Sequence, residues 1–353
     1  MTKIAQITPA RLVIGVDTHK DVHVAVALDT LGRRVADTTI PTTAAGYRKL
    51  VAWADSLGSV EAFGLEGTGS YGAALARHLR DCDRQVIEVL RPNRQARRRN
   101  GKSDPADAEA AARAVISGEA TGTPKSGDDL VEMIRVLRVA RSTAMKARTG
   151  TVNALKSLVV TAPVELRDQL RGLPVTQLVA TAARLRPGRG ATTVAANKTA
   201  LQSLARRYQA LDAEIAELDA ALAELTAETS PRLLDTFGVG PDSAGALLVT
   251  AGDNPARLRS EAAFSMLCGA SPVEASSGRT VRRRLNRGGD RQANAALYRI
   301  VIVRMRHHAA TRAYVERHTA QGLSKPEIIR CLKRYVARDI YTILHDAPAS
   351  AAA

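Results

Sequence analysis

The residues in this sequence whose types and spacing could do chemistry are four carboxylates and a loop serine. Asp104 and Asp107 lie in the stretch Asn100–Ala108, Asn-Gly-Lys-Ser-Asp-Pro-Ala-Asp-Ala. Pro105 suits the first position of a helix, which predicts Asp104 as its N-cap and Asp107 as its third residue, with both side chains pointing the same way. Asp17 and Glu66 end two short apolar runs, Arg11–Asp17 and Val60–Glu66. Such a set offers hard oxygen ligands for Mg²⁺, and two ions ~3.5–4 Å apart stabilise the attacking and leaving oxygens of an in-line displacement at phosphorus. A plainer reading stands beside this one. An Asp N-cap followed by an acid three residues on is close to a capping box, and a single Asp after a strand is commonly a turn former. The conjunction of all four acids, with Lys102 beside the pair, favours the metal site.

The serine loop lies in Cys268–Gly289, a stretch without apolar period. It reads Ala275-Ser276-Ser277-Gly278-Arg279 and continues through Arg282, Arg283, Arg284 and Arg287, with Arg291 just beyond. A loop serine is ordinarily a turn residue or a cap. Here guanidinium groups surround it that could neutralise a phosphodiester and a developing oxyanion. A second basic cluster, Arg91, Arg94, Arg97, Arg98 and Arg99, runs through Lys102 into the acidic pair. It is either a solvated loop or a set of phosphate contacts beside the scissile bond, and its position favours the second.

Charge points to the same class of partner. In 353 residues, 51 Lys and Arg stand against 35 Asp and Glu, a formal charge of +16, with a pI near 10.3. A polyanion is implied, with nucleic acid the default. No membrane partner is expected, because there is neither a basic amphipathic helix near an end nor a long apolar span. The three cysteines are far apart with no CxxC pair, which argues for a reducing compartment and against thiolate zinc. Leu12–Val16 is too short an apolar run for a signal peptide, so a cytoplasmic, nucleoid-associated protein is expected.

The elements that must position these residues follow from periodicity. Arg11–Asp17, Asp21–Asp29 and Arg33–Ile40 read as an antiparallel meander, followed by helix Thr42–Leu57, strand Val60–Glu66, helix Tyr71–Cys82, strand Arg84–Leu90 and the helix after Asp104. That order is the order of an α/β ribonuclease H-like domain, assigned to 9–125. In it Asp17 ends the central strand, Glu66 its parallel neighbour, and the Asp104 helix crosses the carboxyl edge of the sheet, where ligands bind. A helical segment, 126–229, follows. Asp128–Val160 is a basic amphipathic helix that is either an ordinary solvated face or a nucleic-acid rail. Leu185–Lys198 reads as a linker. Leu201, Leu204, Tyr208, Leu211, Ile215, Leu218, Leu222 and Leu225 form a heptad seam over 201–225. The seam is expected to make a homo-oligomer, dimer or tetramer, through a coiled coil; a helical hairpin with the preceding helix is the alternative. The last domain, 230–345, is mainly α. Phe237-Gly238-Val239-Gly240-Pro241 suggests a helix-hairpin-helix whose amides suit a phosphate, Leu258–Leu267 reads as a helix, and 346–353 as a disordered tail.

The chain resembles a DEDD transposase of the insertion sequence 110 family. The residues carrying this are Gly15-Val16-Asp17-Thr18-His19-Lys20, Leu65-Glu66-Gly67-Thr68-Gly69-Ser70-Tyr71, Lys102-Ser103-Asp104-Pro105-Ala106-Asp107-Ala108, the Phe237–Pro241 turn, and Gly269-Ala-Ser-Pro through Ser276-Ser277-Gly278. The resemblance implies a RuvC-like domain whose Asp17, Glu66, Asp104 and Asp107 bind two Mg²⁺. It implies a C-terminal transposase domain with a serine nucleophile on Ser277, Ser276 being the alternative one residue earlier. It also implies a DNA recombinase guided by a noncoding bridge RNA, so that basic charge serves RNA as well as DNA. Two rival readings remain open on the residues alone: a RuvC-like nuclease of branched DNA that uses water, and a noncatalytic nucleic-acid-binding protein.

Overall fold

The computed structural model describes residues 11–89, 103–188, 190–279 and 283–345. Lys102 and Arg94, Arg97, Arg98 and Arg99 therefore lie outside the described residues, as do Arg282 and the tail 346–353. The described residues form two compact units. One holds those up to Asp129 together with Ala251–Arg259; the other holds Leu130–Thr250 and Ser260 onward.

In the first unit, β1 (Arg11–Thr18), β2 (Val22–Asp29) and β3 (Arg34–Pro41) form the meander. They are followed by α1 (Ala44–Leu57), β4 (Ser59–Glu66), α2 (Ala73–Asp81), β5 (Val86–Val89) and α3 (Asp104–Ile116). The sheet order is β3-β2-β1-β4-β5, with β1 antiparallel to β2 and parallel to β4, and β5 parallel to β4. This mixed sheet is consistent with the ribonuclease H-like start.

The second unit is helical: α4 (Leu130–Thr161), α5 (Val164–Leu170), α6 (Val175–Ala183), α7 (Thr193–Thr229), α8 (Pro231–Leu234), α9 (Pro241–Ala251), α10 (Glu261–Leu267), then strands β6 (Val273–Glu274) and β7 (Arg283–Arg284), α11 (Arg291–His307), α12 (Ala309–Ala320) and α13 (Lys325–His345). α4 packs against α7. Leu201, Ile215 and Leu222 of the heptad seam are buried within the single chain, and the Arg141–Asp219 and Arg148–Asp212 ion pairs join the two helices. The intramolecular hairpin thus takes up part of the seam. Of the boundaries that differ from those read in the sequence, two are set by a hydroxyl that caps a helix. Thr192 accepts from the Ala195 amide, so α7 starts inside the stretch read as a linker; Ser260 accepts from the Ala263 amide, so α10 starts after Leu258. The Phe237–Pro241 turn joins the single-turn α8 to α9, with Gly238 at φ +84°. Among the described residues no helix is long and apolar enough to cross a membrane.

The faces of the first sheet decide where the site forms. Alternation sends Leu12, Ile14 and Val16 of β1, with Phe63 and Leu65 of β4, into a core shared with Leu50 of α1 and Leu75 of α2. The other face carries Val13, Val26 and Leu28 against Ala108 and Ala112 of α3. On that face Gly15 and Gly64 are paired across β1 and β4. A Cβ at Gly15 would lie 1.9 Å from the Ala108 carbonyl and 2.5 Å from the Ala112 amide; one at Gly64 would lie 2.7 Å from Val115 Cγ2 and 3.0 Å from the Ala111 carbonyl. The helix therefore lies backbone to backbone on a two-glycine platform. Two residues past each glycine, on the same face by the strand period, come Asp17 and Glu66. One turn before Ala108 and Ala111 come Asp104 and Asp107.

Gly15→Ala is expected to destabilise the chain by about 3 kcal/mol in denaturant unfolding, because backbone has nowhere to move. Gly150→Ala, within α4 and with nothing within 4 Å of its Cβ, is expected to stabilise it by about 0.5–1 kcal/mol.

Candidate active site

Asp17 is the penultimate residue of β1, and its side chain is only 10% exposed although it carries a carboxylate. Facing it is the start of α3. Ser103 has extended backbone (φ −147°, ψ 149°), and its carbonyl accepts the first helical bond, from the Asp107 amide at 3.0 Å. The N-cap is therefore Ser103, correcting the expectation of Asp104, and Pro105 is the second helical residue. Ser103's side chain makes no cap hydrogen bond. The correction matters chemically: Asp104 is not held as the N-cap residue. It stays half-exposed while Asp107 is buried.

His19 joins strand to helix. Its Nε2 lies 3.0 Å from Asp17 Oδ2 and 3.4 Å from Asp104 Oδ1. The β1–β2 hairpin holds it there, its amide donating to the Val22 carbonyl at 3.2 Å and lying 3.3 Å from His23 Nδ1. One ligand atom from each of Asp17, His19 and Asp104 falls within 4.8 Å of the others. His19 was not read as a site residue in the sequence. The available signal was its place two residues beyond Asp17 in a tight hairpin.

The electrostatics fit a cation. Burial is the main cause that pushes the Asp17 carboxyl pKa up from its ordinary value; His19 pulls it back, and Asp107 and Asp104 push it further up. Like charges gathered around a desolvated carboxylate are what a bound dication would offset. The donors are two hard oxygens and one imidazole nitrogen, a set that suits a divalent metal. Glu66 ends β4, the strand beside β1, with Leu65 paired to Val16, and its backbone carbonyl accepts from Thr18 Oγ1 at 3.0 Å. The structure thus brings Asp17, Asp104 and Asp107 into mutual electrostatic range and ties the Glu66 backbone to the same strand end.

The serine loop belongs to the other unit. β6 and β7 pair antiparallel, Val273 with Arg284 and Glu274 with Arg283, which makes the aperiodic stretch a short hairpin. Ser276, Ser277 and Arg279 are exposed at its tip, next to Gly278 at φ +56°. Arg284 and Arg287 are exposed on its return, and Arg291 opens α11, whose N-cap Asp290 accepts from the Gln292 and Ala293 amides. On the basic α4, by contrast, the arginines are engaged internally. Arg138 pairs with Asp242, Arg141 with Asp219, Arg148 with Asp212, and Arg135 with Glu132.

Two family models match in chain order. A model described as "Transposase", of the DEDD type of insertion sequence 110, covers residues 14–162, and one described as "Transposase IS116/IS110/IS902 family" covers residues 230–316. The chain belongs to the insertion sequence 110 family of transposases. Its first family match holds Asp17, His19, Glu66, Asp104 and Asp107; its second holds Ser276, Ser277 and Arg279 through Arg291. A similar protein is the "Insertion element IS110 uncharacterized 43.6 kDa protein" of Streptomyces coelicolor, 30% identical over 118 residues. That alignment covers 33% of this chain and 29% of the relative, so the chain matches under a third of the relative's length.

A carboxyl whose folded pKa is raised costs stability when ionised, fully above that pKa and not at all below its ordinary value. Asp17→Asn is therefore expected to raise Tm by roughly 2 °C in EDTA at pH 7, and to leave it unchanged near pH 3, in calorimetric scans.

Proposed function

We propose that this family member is a DNA transposase and site-specific recombinase that excises and inserts its element by strand transfer. Asp17, Glu66, Asp104 and Asp107 would hold Mg²⁺, two ions per site, and Ser277 would supply the nucleophile. The observation that carries the reading is the meeting of Asp17 and Asp104 around His19 Nε2, at a strand end where the fold repels like charge unless a cation is present.

The bound metal would supply Lewis-acid stabilisation of charge on the scissile phosphate. The chain's own residues do the rest. The hydroxyl of Ser277 attacks phosphorus, forming an Oγ–P bond as the P–O bond to the leaving sugar oxygen breaks; the hydroxyl proton ends on that oxygen. One DNA strand is left joined to the protein as a phosphoserine, and attack by an incoming strand's hydroxyl reverses the step without loss of the phosphodiester bond energy. Arg279, Arg284, Arg287 and Arg291 would neutralise the DNA backbone around the serine, with Arg282 and Arg283 in the same stretch. Lys102 and Arg94, Arg97, Arg98 and Arg99 would serve the phosphate beside the metal.

A noncoding bridge RNA is the proposed guide, supported by the family and by an excess charge of +16 that suits RNA as well as DNA. The active assembly is proposed to be a homo-oligomer, because carboxylates and serine come from separate units and different protomers can supply them. Mixing Asp17→Asn with Ser277→Ala protein checks this: heteromers should regain activity that neither parent has.

The element with its flanking DNA, placed in cells with each variant, is expected to form circular junctions with wild type and with Ser276→Ala. Asp104→Ala and Ser277→Ala should each lower junction yield by more than ~100-fold. Junctions persisting in Ser277→Ala but lost in Ser276→Ala would move the nucleophile by one residue; junctions persisting in both would favour a water-using nuclease.

A further inference from the structure

Ala251–Arg259 comes from the second half of the chain but is folded into the first unit. Side chains fasten this strap to residues 121–127. Asn254 Nδ2 donates to the Pro124 carbonyl at 2.9 Å, Arg257 Nε to that of Thr123 at 3.1 Å and Arg259 Nη2 to that of Thr121 at 3.0 Å, while Asp253 Oδ2 accepts from the Gly127 amide at 3.2 Å. The clamped segment is itself bound to the sheet edge, the Gly122 carbonyl accepting from the Glu88 amide of β5 at 2.7 Å.

Arg257 has a second task. Its Nη1 donates to the Ala251 carbonyl at 3.1 Å, and its Nη2 lies 3.6 Å from Glu88 Oε2. Its side chain is 12% exposed and that of Glu88 26%, so the pair is largely withdrawn from water. Burial pushes the guanidinium pKa down, and Glu88 pushes it back. The other oxygen of Glu88, Oε1, accepts from Thr68 Oγ1 at 2.5 Å. Thr68 is buried, two residues past Glu66, in a turn closed by Gly67 at φ +64° and by the Ser70 and Gly72 amides donating to the Gly67 carbonyl. An unbroken polar chain therefore runs from the strap through Arg257, Glu88 and Thr68 to the turn that follows Glu66.

We infer that Arg257 is a positioning residue for Glu66: through Glu88 and Thr68 it fixes the turn behind that carboxylate, so that a segment of the second half of the chain completes the metal site of the first. The inference rests on Glu66 being a metal ligand. Only a planar fork can donate from Nε and Nη1 while presenting Nη2 to a carboxylate, so lysine is no substitute. Removing Arg257 leaves Glu88 desolvated without its counter-ion, which frees it to swing to solvent and release Thr68.

The test is Mn²⁺ binding to the full-length protein, followed by electron paramagnetic resonance, alongside thermal unfolding. Arg257→Ala, Arg257→Lys and Thr68→Val should each weaken Mn²⁺ binding by about 10-fold. The Arg257→Ala/Thr68→Val double variant should be no weaker than either alone, since both cut one relay. Thr68→Ser, which keeps the hydroxyl, should bind as wild type does. Thr68→Val is remote from the strap and carries the test even if Arg257→Ala fails to fold. A strap that only stabilises would lower Tm and leave Mn²⁺ binding unchanged. Mn²⁺ binding that Glu66→Gln weakens, but Arg257→Ala and Thr68→Val do not, overturns the relay alone; wild-type protein that binds no Mn²⁺ overturns the metal reading and the relay with it.

Discussion

The close approach of α3 to Gly15 and Gly64 is the constraint on which the first unit depends. A helix laid over a sheet ordinarily stands off by the depth of two side-chain layers, near 10 Å. Here one layer is missing at the glycine pair and the other is alanine, so carbonyls of Ala108 and Ala111 come down onto strand backbone. Any Cβ on the platform would lift the helix. It would also carry away the acids one turn earlier, because Asp104 and Asp107 are fixed to the same rigid rod as Ala108 and Ala111. The short distance from His19 Nε2 to both Asp17 and Asp104 is thus a consequence of backbone packing about one turn, ~5.4 Å, farther along the helix.

That packing acts against an electrostatic cost it creates. Burial and two neighbouring carboxylates all raise the Asp17 pKa, and only His19 opposes them among the causes acting on that group. Apolar contact of α3 with Val13, Val26 and Leu28 holds the acids together against this repulsion. A site arranged in this way spends stability to keep like charges together, a common arrangement at functional sites. It also explains why hydrophobic pattern and site geometry cannot be separated here: the period of two that buries Val13 and Val26 is the period that turns Asp17 toward the helix.

Much of this was legible in the sequence, for local reasons. The apolar runs ending in Asp17 and Glu66 marked buried strands, the meander and the helix–strand alternation followed, and the three-residue spacing of Asp104 and Asp107 put them on one side of a helix. What escaped depended on contacts distant in the chain. Gly15 and Gly64 each signal a close backbone approach, but nothing local names the helix that approaches them some 50 to 90 residues on. The N-cap fell one residue early, on Ser103, since proline is accommodated at either of the first two helical positions. His19 was indistinguishable from an ordinary hairpin residue until the fold brought Asp104 to it. The strap is the extreme case: its last residues, Leu258 and Arg259, read as the start of a helix, and only the hydrogen bonds of Asn254, Arg257 and Arg259 to residues 121–124 assign Ala251–Arg259 to the first unit.

The basic charge shows why composition names a partner but not a surface. An excess of +16 implies a polyanion. Yet Arg138, Arg141 and Arg148, which make α4 look like a rail, are spent on Asp242, Asp219 and Asp212, holding α4 to α7 and α9. With side chains 11%, 20% and 26% exposed, these arginines have already lost much of their water, so recruiting one to a phosphate would mean breaking a formed pair and stranding an acid. The described arginines of the serine hairpin differ in their exposure. Among the described residues Arg279, Arg284, Arg287 and Arg291 are exposed, and release of counter-ions around exposed arginines is the cheapest and most salt-sensitive form of attraction to a phosphate. The heptad seam follows the same logic, since its Leu201, Ile215 and Leu222 are already buried within the chain. Residue type proposes a contact, and the fold decides whether the side chain still has anything to give.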